Sequence, residues 1–281
     1  MVNHIIPKNY EEALRYLSDG TYQVIAGGTD LMIQKRGTRE TPPKFESNML
    51  FCFNLKELND VNLDGDYIRI GSMTPLETLL YHKDIPDIMK KVIGEMASPA
   101  IRNVATLSGN IANASPAGDS LVVLYLLNAK ILLESVNGSR VLPIEHVITG
   151  PRQTLIAKDE IIKEIIIENP KFSKFLWTKV GGRKADAISK ISCLSAVNIK
   201  DGIIVDFRIA LGAIYKTVIR SKEIELKCIG SVPKEFINQK NTVLSLYEEL
   251  IQPIDDQRST RIYRKKVALN IIEKWITDIS N

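Results

Sequence analysis

Cysteine and histidine are scarce in this chain, and neither sign of charge dominates. Three cysteines and three histidines occur in 281 residues. Cys52, Cys193 and Cys228 are far apart, and no Cys-x-x-Cys pair exists. That spacing argues against a cysteine-built iron–sulfur or zinc site within this chain. Free thiols in a reducing cytosol are the simpler reading. His4, His82 and His146 lack ligand spacing, so no metal site is expected. Lys and Arg (37) nearly balance Asp and Glu (33), giving a net charge of +4. The two signs are interspersed, which leaves no electrostatic footprint for nucleic acid. The richest basic stretch, residues 258–266, reads as a solvated helix face. The longest apolar run, residues 121–127, is too short to span a bilayer. The first 16 residues hold Glu11, Glu12 and Arg15 and no apolar h-region, so they do not read as a signal peptide. A cytoplasmic protein with no membrane partner is expected.

Two stretches of small residues stand out against this background. The first is Val24-Ile25-Ala26-Gly27-Gly28-Thr29-Asp30-Leu31. The second runs Thr106-Leu107-Ser108-Gly109-Asn110-Ile111-Ala112-Asn113-Ala114-Ser115-Pro116-Ala117-Gly118-Asp119. Glycine lets the main chain approach a ligand closely and reach φ > 0. Successive exposed amides make an anion-binding concavity. Two such loops are suited to clamp a diphosphate from both sides, which points to a nucleotide-type cofactor. Gly181-Gly182-Arg183-Lys184 lacks P-loop spacing and reads as a turn at a strand end.

Local signals place these loops among helices and strands. Asn9 followed by Glu12 is a capping pattern, with Ala13, Leu14 and Leu17 as an apolar stripe and Gly20 as a stop. Residues 22–26 and 48–55 read as strands. Residues 67–71 alternate as a strand, and Thr74-Pro75 reads as a helix start with Thr74 as the cap. A helix is expected over 87–96, a loop over 106–119, and an apolar helix after Asp119, with that residue as its candidate cap. Residues 130–134 and 139–142 form a hairpin through Asn137-Gly138. Residues 160–167, 172–180, 187–199 and 203–213 read as strands, the last two joined at Asp201-Gly202. Helices dominate from Ser221, the last over 256–279.

In order and separation, these segments resemble the FAD-binding (medium, flavoprotein) subunit of the xanthine dehydrogenase, or molybdenum hydroxylase, family. Residues 26–31 and 106–119 look like the two family loops. Ile101-Arg102-Asn103 and the tail 258–264 also fit. The resemblance implies an α+β fold: a two-lobed FAD-binding domain of the vanillyl-alcohol-oxidase-like type, then a smaller α+β domain with a three-stranded antiparallel sheet and helices, as in the CO dehydrogenase flavoprotein C-terminal domain. Residues 1–55 and 56–168 would be the lobes and 169–281 the third domain. By resemblance, residues 24–31 wrap the FAD diphosphate and residues 106–110 close over it. Asp119 holds the ribityl or flavin end, Ile162 borders the cofactor, and Lys179 reaches the flavin. The family usually has two adjacent glycines in the second loop. Ser108 stands at the first of them, and its hydroxyl is expected to donate to a phosphate.

The function implied is electron relay. An iron–sulfur small subunit passes electrons from a molybdopterin large subunit to FAD, which reduces NAD+ or another acceptor. The flavin carries the chemistry, so no catalytic acid–base pair is expected here. The alternatives are a stand-alone FAD-dependent oxidase or reductase, and a non-catalytic assembly subunit.

Overall fold

The computed structural model describes residues 2–42 and 44–281. It divides into two compact units. The first comprises Met1–Ala114 and Asn128–Asn169, the second Ser115–Leu127 and Pro170–Asn281. Residues 115–127, placed by the sequence reading inside the 56–168 lobe, cluster instead with the carboxy-terminal unit.

The first unit holds two sheets. In the smaller, Asn48–Phe51 lies between His4–Ile5 and Tyr22–Ile25 and runs parallel to both. The Tyr10–Leu17 helix covers it, and Asn9 Oδ1 accepts the Glu12 N–H at 2.9 Å. Its buried Ala13, Leu14 and Leu17 join Leu50, Cys52, Leu55 and Leu58 in one core. The larger sheet is antiparallel throughout. Its order is Val61–Asp64, Tyr67–Gly71, Ile161–Glu168, Lys130–Ser135, Gly138–Pro143. Ile68 and Ile70, Ile131 and Leu133, and Ile165 and Ile167 are fully buried, the period of two that a one-faced strand requires.

Several local expectations shift by a residue or two. Ser135 pairs with Gly138, so the hairpin turns on Val136-Asn137 rather than Asn137-Gly138. Pro75, not Thr74, is the N-cap of the Leu76–Tyr81 helix. Residues 106–119, expected as a loop, contain the Leu107–Asn113 helix. The Thr106 cap and burial of Leu107 and Ile111 on one face outweigh the poor helix propensity of Gly and Asn.

In the second unit, Lys174–Val180, Ile191–Lys200 and Ile203–Gly212 form a three-stranded antiparallel sheet. Asp201 (φ +52°) and Gly202 (φ +75°) make the expected two-residue turn. The helices Lys222–Cys228, Lys240–Leu250 and Arg261–Ser280 close a core around Phe207, Phe236, Tyr247 and Trp275. The last helix begins at Arg261, because Asp256 and Ser259 exchange main-chain hydrogen bonds in a tight turn and Thr260 caps the helix. Arg264 is not on a solvated face. It is buried, donating to the Ala213 carbonyl at 2.8 Å and pairing with Asp256 at 2.6 Å. All eight residues of the Asp119–Leu126 helix are buried, as expected of a helix apolar on every side.

Candidate functional site

The first small-residue stretch leaves the carboxyl end of a parallel strand pair, where α/β sheets commonly hold ligands. Cys52 N–H donates to the Ile25 carbonyl at 3.1 Å and marks that end. The chain then turns through Gly27 and Gly28, and Gly28 sits at φ +66°. A Cβ on Gly27 would lie 2.0 Å from the Val104 carbonyl oxygen and 3.0 Å from Ala105 Cα. Only a glycine lets this loop touch the segment that leads into the second stretch. Met32 N–H donates to the Gly28 carbonyl at 2.9 Å, opening the Leu31–Gln34 helical turn. The N–H groups of Gly27, Gly28, Thr29 and Asp30 donate to no protein acceptor among the described residues.

The second stretch is held from behind. Arg102 is buried, its Nε 2.6 Å from Glu77 Oε2 and its Nη1 donating to the Met96 carbonyl at 2.9 Å. This pins the turn at Ala97, which has φ +42°. Thr106 Oγ1 accepts the Gly109 N–H at 3.0 Å and lies 3.0 Å from Ser108 Oγ. Ser108 Oγ in turn donates to the Ser72 carbonyl. The Ser108 hydroxyl proton is therefore directed inward, which corrects the expected donation to a phosphate. Its Cβ is tolerated because the helix has ordinary φ here, so no glycine is required. A Cβ on Gly109 would stand 3.9 Å from that of Ala26, so the two stretches face each other.

Between them lies a cavity of about 250 Å³. Every residue from Val24 to Leu31 lines it, with Thr106, Gly109 and Asn110 opposite. A smaller cavity of about 90 Å³ shares Val24, Ala26 and Gly109 and adds Ser108 and Ile162. Ile162 thus sits beside the second stretch. Leu107 lines neither cavity and points into the core at 1% exposure.

Asp119 and Lys179 form a separate group in the second unit. Asp119 Oδ2 is 2.9 Å from Lys179 Nζ, and Oδ1 accepts from Ser189 Oγ at 2.6 Å. The side chains are 7% and 10% exposed. Asp119 does not cap its helix: Gly118 is the N-cap and there is no side-chain cap bond. Among the described residues, no cluster of His, Cys, Asp and Glu could hold a metal, and no helix is long and apolar enough to cross a membrane. The three cysteines are free and buried, and burial pushes each thiol up to about 12.

Sequence reasoning missed several contributors to the site. Gln34, Lys35 and Arg152 line the larger cavity, and Arg152 lies more than a hundred residues from Asp30, which its guanidinium contacts at 3.4 Å. Gln34 and Lys35 were within reach of a helical reading of residues 31–35. Nothing local marks Arg152.

Known proteins resemble this chain over nearly its whole length. The family described as the FAD binding domain in molybdopterin dehydrogenase matches residues 1–170, and the CO dehydrogenase flavoprotein C-terminal domain matches residues 178–279. The nicotinate dehydrogenase FAD-subunit of Eubacterium barkeri is 29% identical over 97% of this chain and 94% of its own length. The glyceraldehyde dehydrogenase medium chain of Sulfolobus acidocaldarius is 28% identical over 99% and 98%. The crystal structure of quinoline 2-oxidoreductase from Pseudomonas putida 86 has the same fold, with a TM-score of 0.87 at 21% identity, covering 100% of this chain and 97% of that one.

Proposed function

The chain belongs to the FAD-binding subunits of molybdopterin dehydrogenases, and from that premise we propose that it takes electrons from an iron–sulfur subunit and passes them to NAD+ in a complex that also holds a molybdopterin subunit. It is a flavoprotein oxidoreductase subunit, and FAD is its cofactor. One observation carries the assignment of the site: the two small-residue stretches meet around a single cavity, with four main-chain N–H groups of the first lacking any protein acceptor.

The residues fit the cofactor. Gly27 lets the Val104–Ala105 backbone close against the first stretch, which sets the spacing of the cavity walls. The unpaired amides at 27–30 suit a diphosphate without heavy charge. The lining is small and apolar at Val24, Ala26 and Ile162, as an aromatic ring system requires. When bound, the flavin supplies hydride and single-electron chemistry that no side chain can provide. The work of this chain is to bind, orient and shield. Gly27, Gly28, Thr29 and Asp30 offer donors to the phosphates, and Thr106, Gly109 and Asn110 form the facing wall. Val24, Ile25, Ala26 and Leu31 shape the floor, while Leu107 and Ser108 anchor the wall to the core. Asp119 and Lys179 stay in the proposed set by resemblance, each neutralising the other. We assign residues 1–55 and 56–114 with 128–168 as the lobes of the FAD domain. The buried, unpaired thiols suit a cytoplasmic setting.

The test is a titration of the purified full chain with FAD, followed by flavin absorbance and fluorescence. Tight stoichiometric binding supports the reading, and a folded chain that binds none at excess FAD refutes it. Copurification with the two partner subunits and substrate-driven NAD+ reduction by the complex test the relay. Turnover of a substrate by this chain alone would move it to the stand-alone class.

A further inference from the structure

The larger cavity is lined by three charged side chains, Asp30, Lys35 and Arg152. Arg152 is held in an unusual way. It has φ +57°, and its N–H donates at 2.9 Å to the carbonyl of Ala114, which itself has φ +45°. Both are non-glycine residues in the left-handed region, a conformation that persists only where surroundings enforce it. The side chain reaches back to the cavity. Nη1 donates to Asn113 Oδ1 at 2.6 Å and contacts Asp30 Oδ2 at 3.4 Å.

Only that one nitrogen is engaged. Nε and Nη2 have no protein acceptor among the described residues. A guanidinium oriented at one corner presents its remaining edge to an anion in fork geometry. The Arg152–Asp30 pair itself is half exposed, at 53% and 49%, and contributes little to stability. A merely structural clamp would gain little from it. The same placement cancels the one carboxylate in the cavity wall, which would otherwise repel a diphosphate.

We propose that Arg152 is the cation that binds the FAD diphosphate in this cavity, with Asn113 as the residue that aims it and Asp30 as a carboxylate that competes with the phosphates for it. The proposal rests on the assignment of the cavity to FAD and adds a charged ligand to its amide cradle. It makes a prediction of sign. If Arg152 served only to tie the loops together, Asp30→Asn and Arg152→Gln would both weaken FAD binding. If Arg152 binds the anion, Arg152→Gln weakens binding, while Asp30→Asn removes a competing carboxylate and tightens it.

The experiment titrates FAD into the full-length wild type, Arg152→Gln, Arg152→Lys, Asp30→Asn and Lys35→Gln chains at low and high salt. Flavin fluorescence reads Kd, and circular dichroism of each apo chain reports folding. A lost charged hydrogen bond corresponds to a weakening of roughly tenfold to a hundredfold for Arg152→Gln. We expect Arg152→Lys to retain part of the affinity, Asp30→Asn to bind tighter than wild type, and the salt dependence to shrink in Arg152→Gln. Unchanged affinity in Arg152→Gln, or weakening by Asp30→Asn, overturns the proposal. So does a loss confined to Lys35→Gln. A folded wild type that fails to bind FAD refutes the cavity assignment instead, so the two failures are distinct.

Discussion

Gly27→Ala tests the contact on which the two-loop cavity depends. A methyl group there would stand 2.0 Å from the Val104 carbonyl oxygen and 2.6 Å from Val104 C, whereas ordinary contact begins at 3.4 Å. The two stretches must part by about 1.4 Å, or the 104–105 backbone must move by as much. Both obstructing atoms are main chain, so no side-chain rotation relieves the clash. Overpacking of this kind costs about 1–3 kcal/mol. The larger effect falls on FAD, whose phosphates would meet a cradle widened by more than an ångström. We expect Kd to rise at least roughly tenfold, a loss of about 1.4 kcal/mol. Thermal melts give an independent reading. At an FAD concentration 100 times the wild-type Kd, the ligand stabilises the wild type by about 2.7 kcal/mol and a tenfold weaker variant by about 1.4. Gly182→Ala is the control, because its Cβ meets nothing within 4 Å. Wild-type affinity and stability in Gly27→Ala would refute the claim that close approach of residues 27 and 104 builds the site.

Three further outcomes follow from the same structure. Ser108→Ala leaves the Ser72 carbonyl without its hydroxyl donor and should lower unfolding stability by about 1–3 kcal/mol in urea, with FAD affinity changing less than tenfold; the reverse pattern would restore a phosphate-binding role for that hydroxyl. Thiol reagents at neutral pH should label none of Cys52, Cys193 and Cys228 in the native chain and all three in denaturant, because each is buried and pushed up to about 12. Burial raises the Glu160 carboxyl, but hydrogen bonds from Arg140 and the Ala157 N–H and the Arg140 charge outweigh it, so its pKa lies below the ordinary 4.5. Such a group adds stability above its unfolded pKa and loses it as pH falls through the folded one, so Glu160→Gln should flatten the decline in melting temperature below about pH 4.5, and an unchanged decline would exclude Glu160 as a contributor.

Much of this protein is written in local signals. The Asn9 cap with its 13, 14, 17 stripe, the Asp201-Gly202 turn, and the strand that runs into Gly27-Gly28 each depend on residues a few positions apart. Capping, left-handed φ and side-chain periodicity act over that range, so these features were readable before any fold was known. The family resemblance narrowed the nucleotide-type cofactor read from the two small-residue stretches to FAD. Other features had no local carrier. The 107–113 segment is helical because Leu107 and Ile111 find a core and Thr106 finds a cap, not because its Gly and Asn favour a helix. The Ser108 hydroxyl turns to a carbonyl 36 positions earlier. Asp119 is paired with Lys179 and Ser189, and residues 115–127 join a unit otherwise built from the chain after Asn169. Arg152 reaches Asp30 across 122 positions. These are consequences of packing between distant segments, whose energies depend on which surfaces meet, and that is decided only when the whole chain is folded.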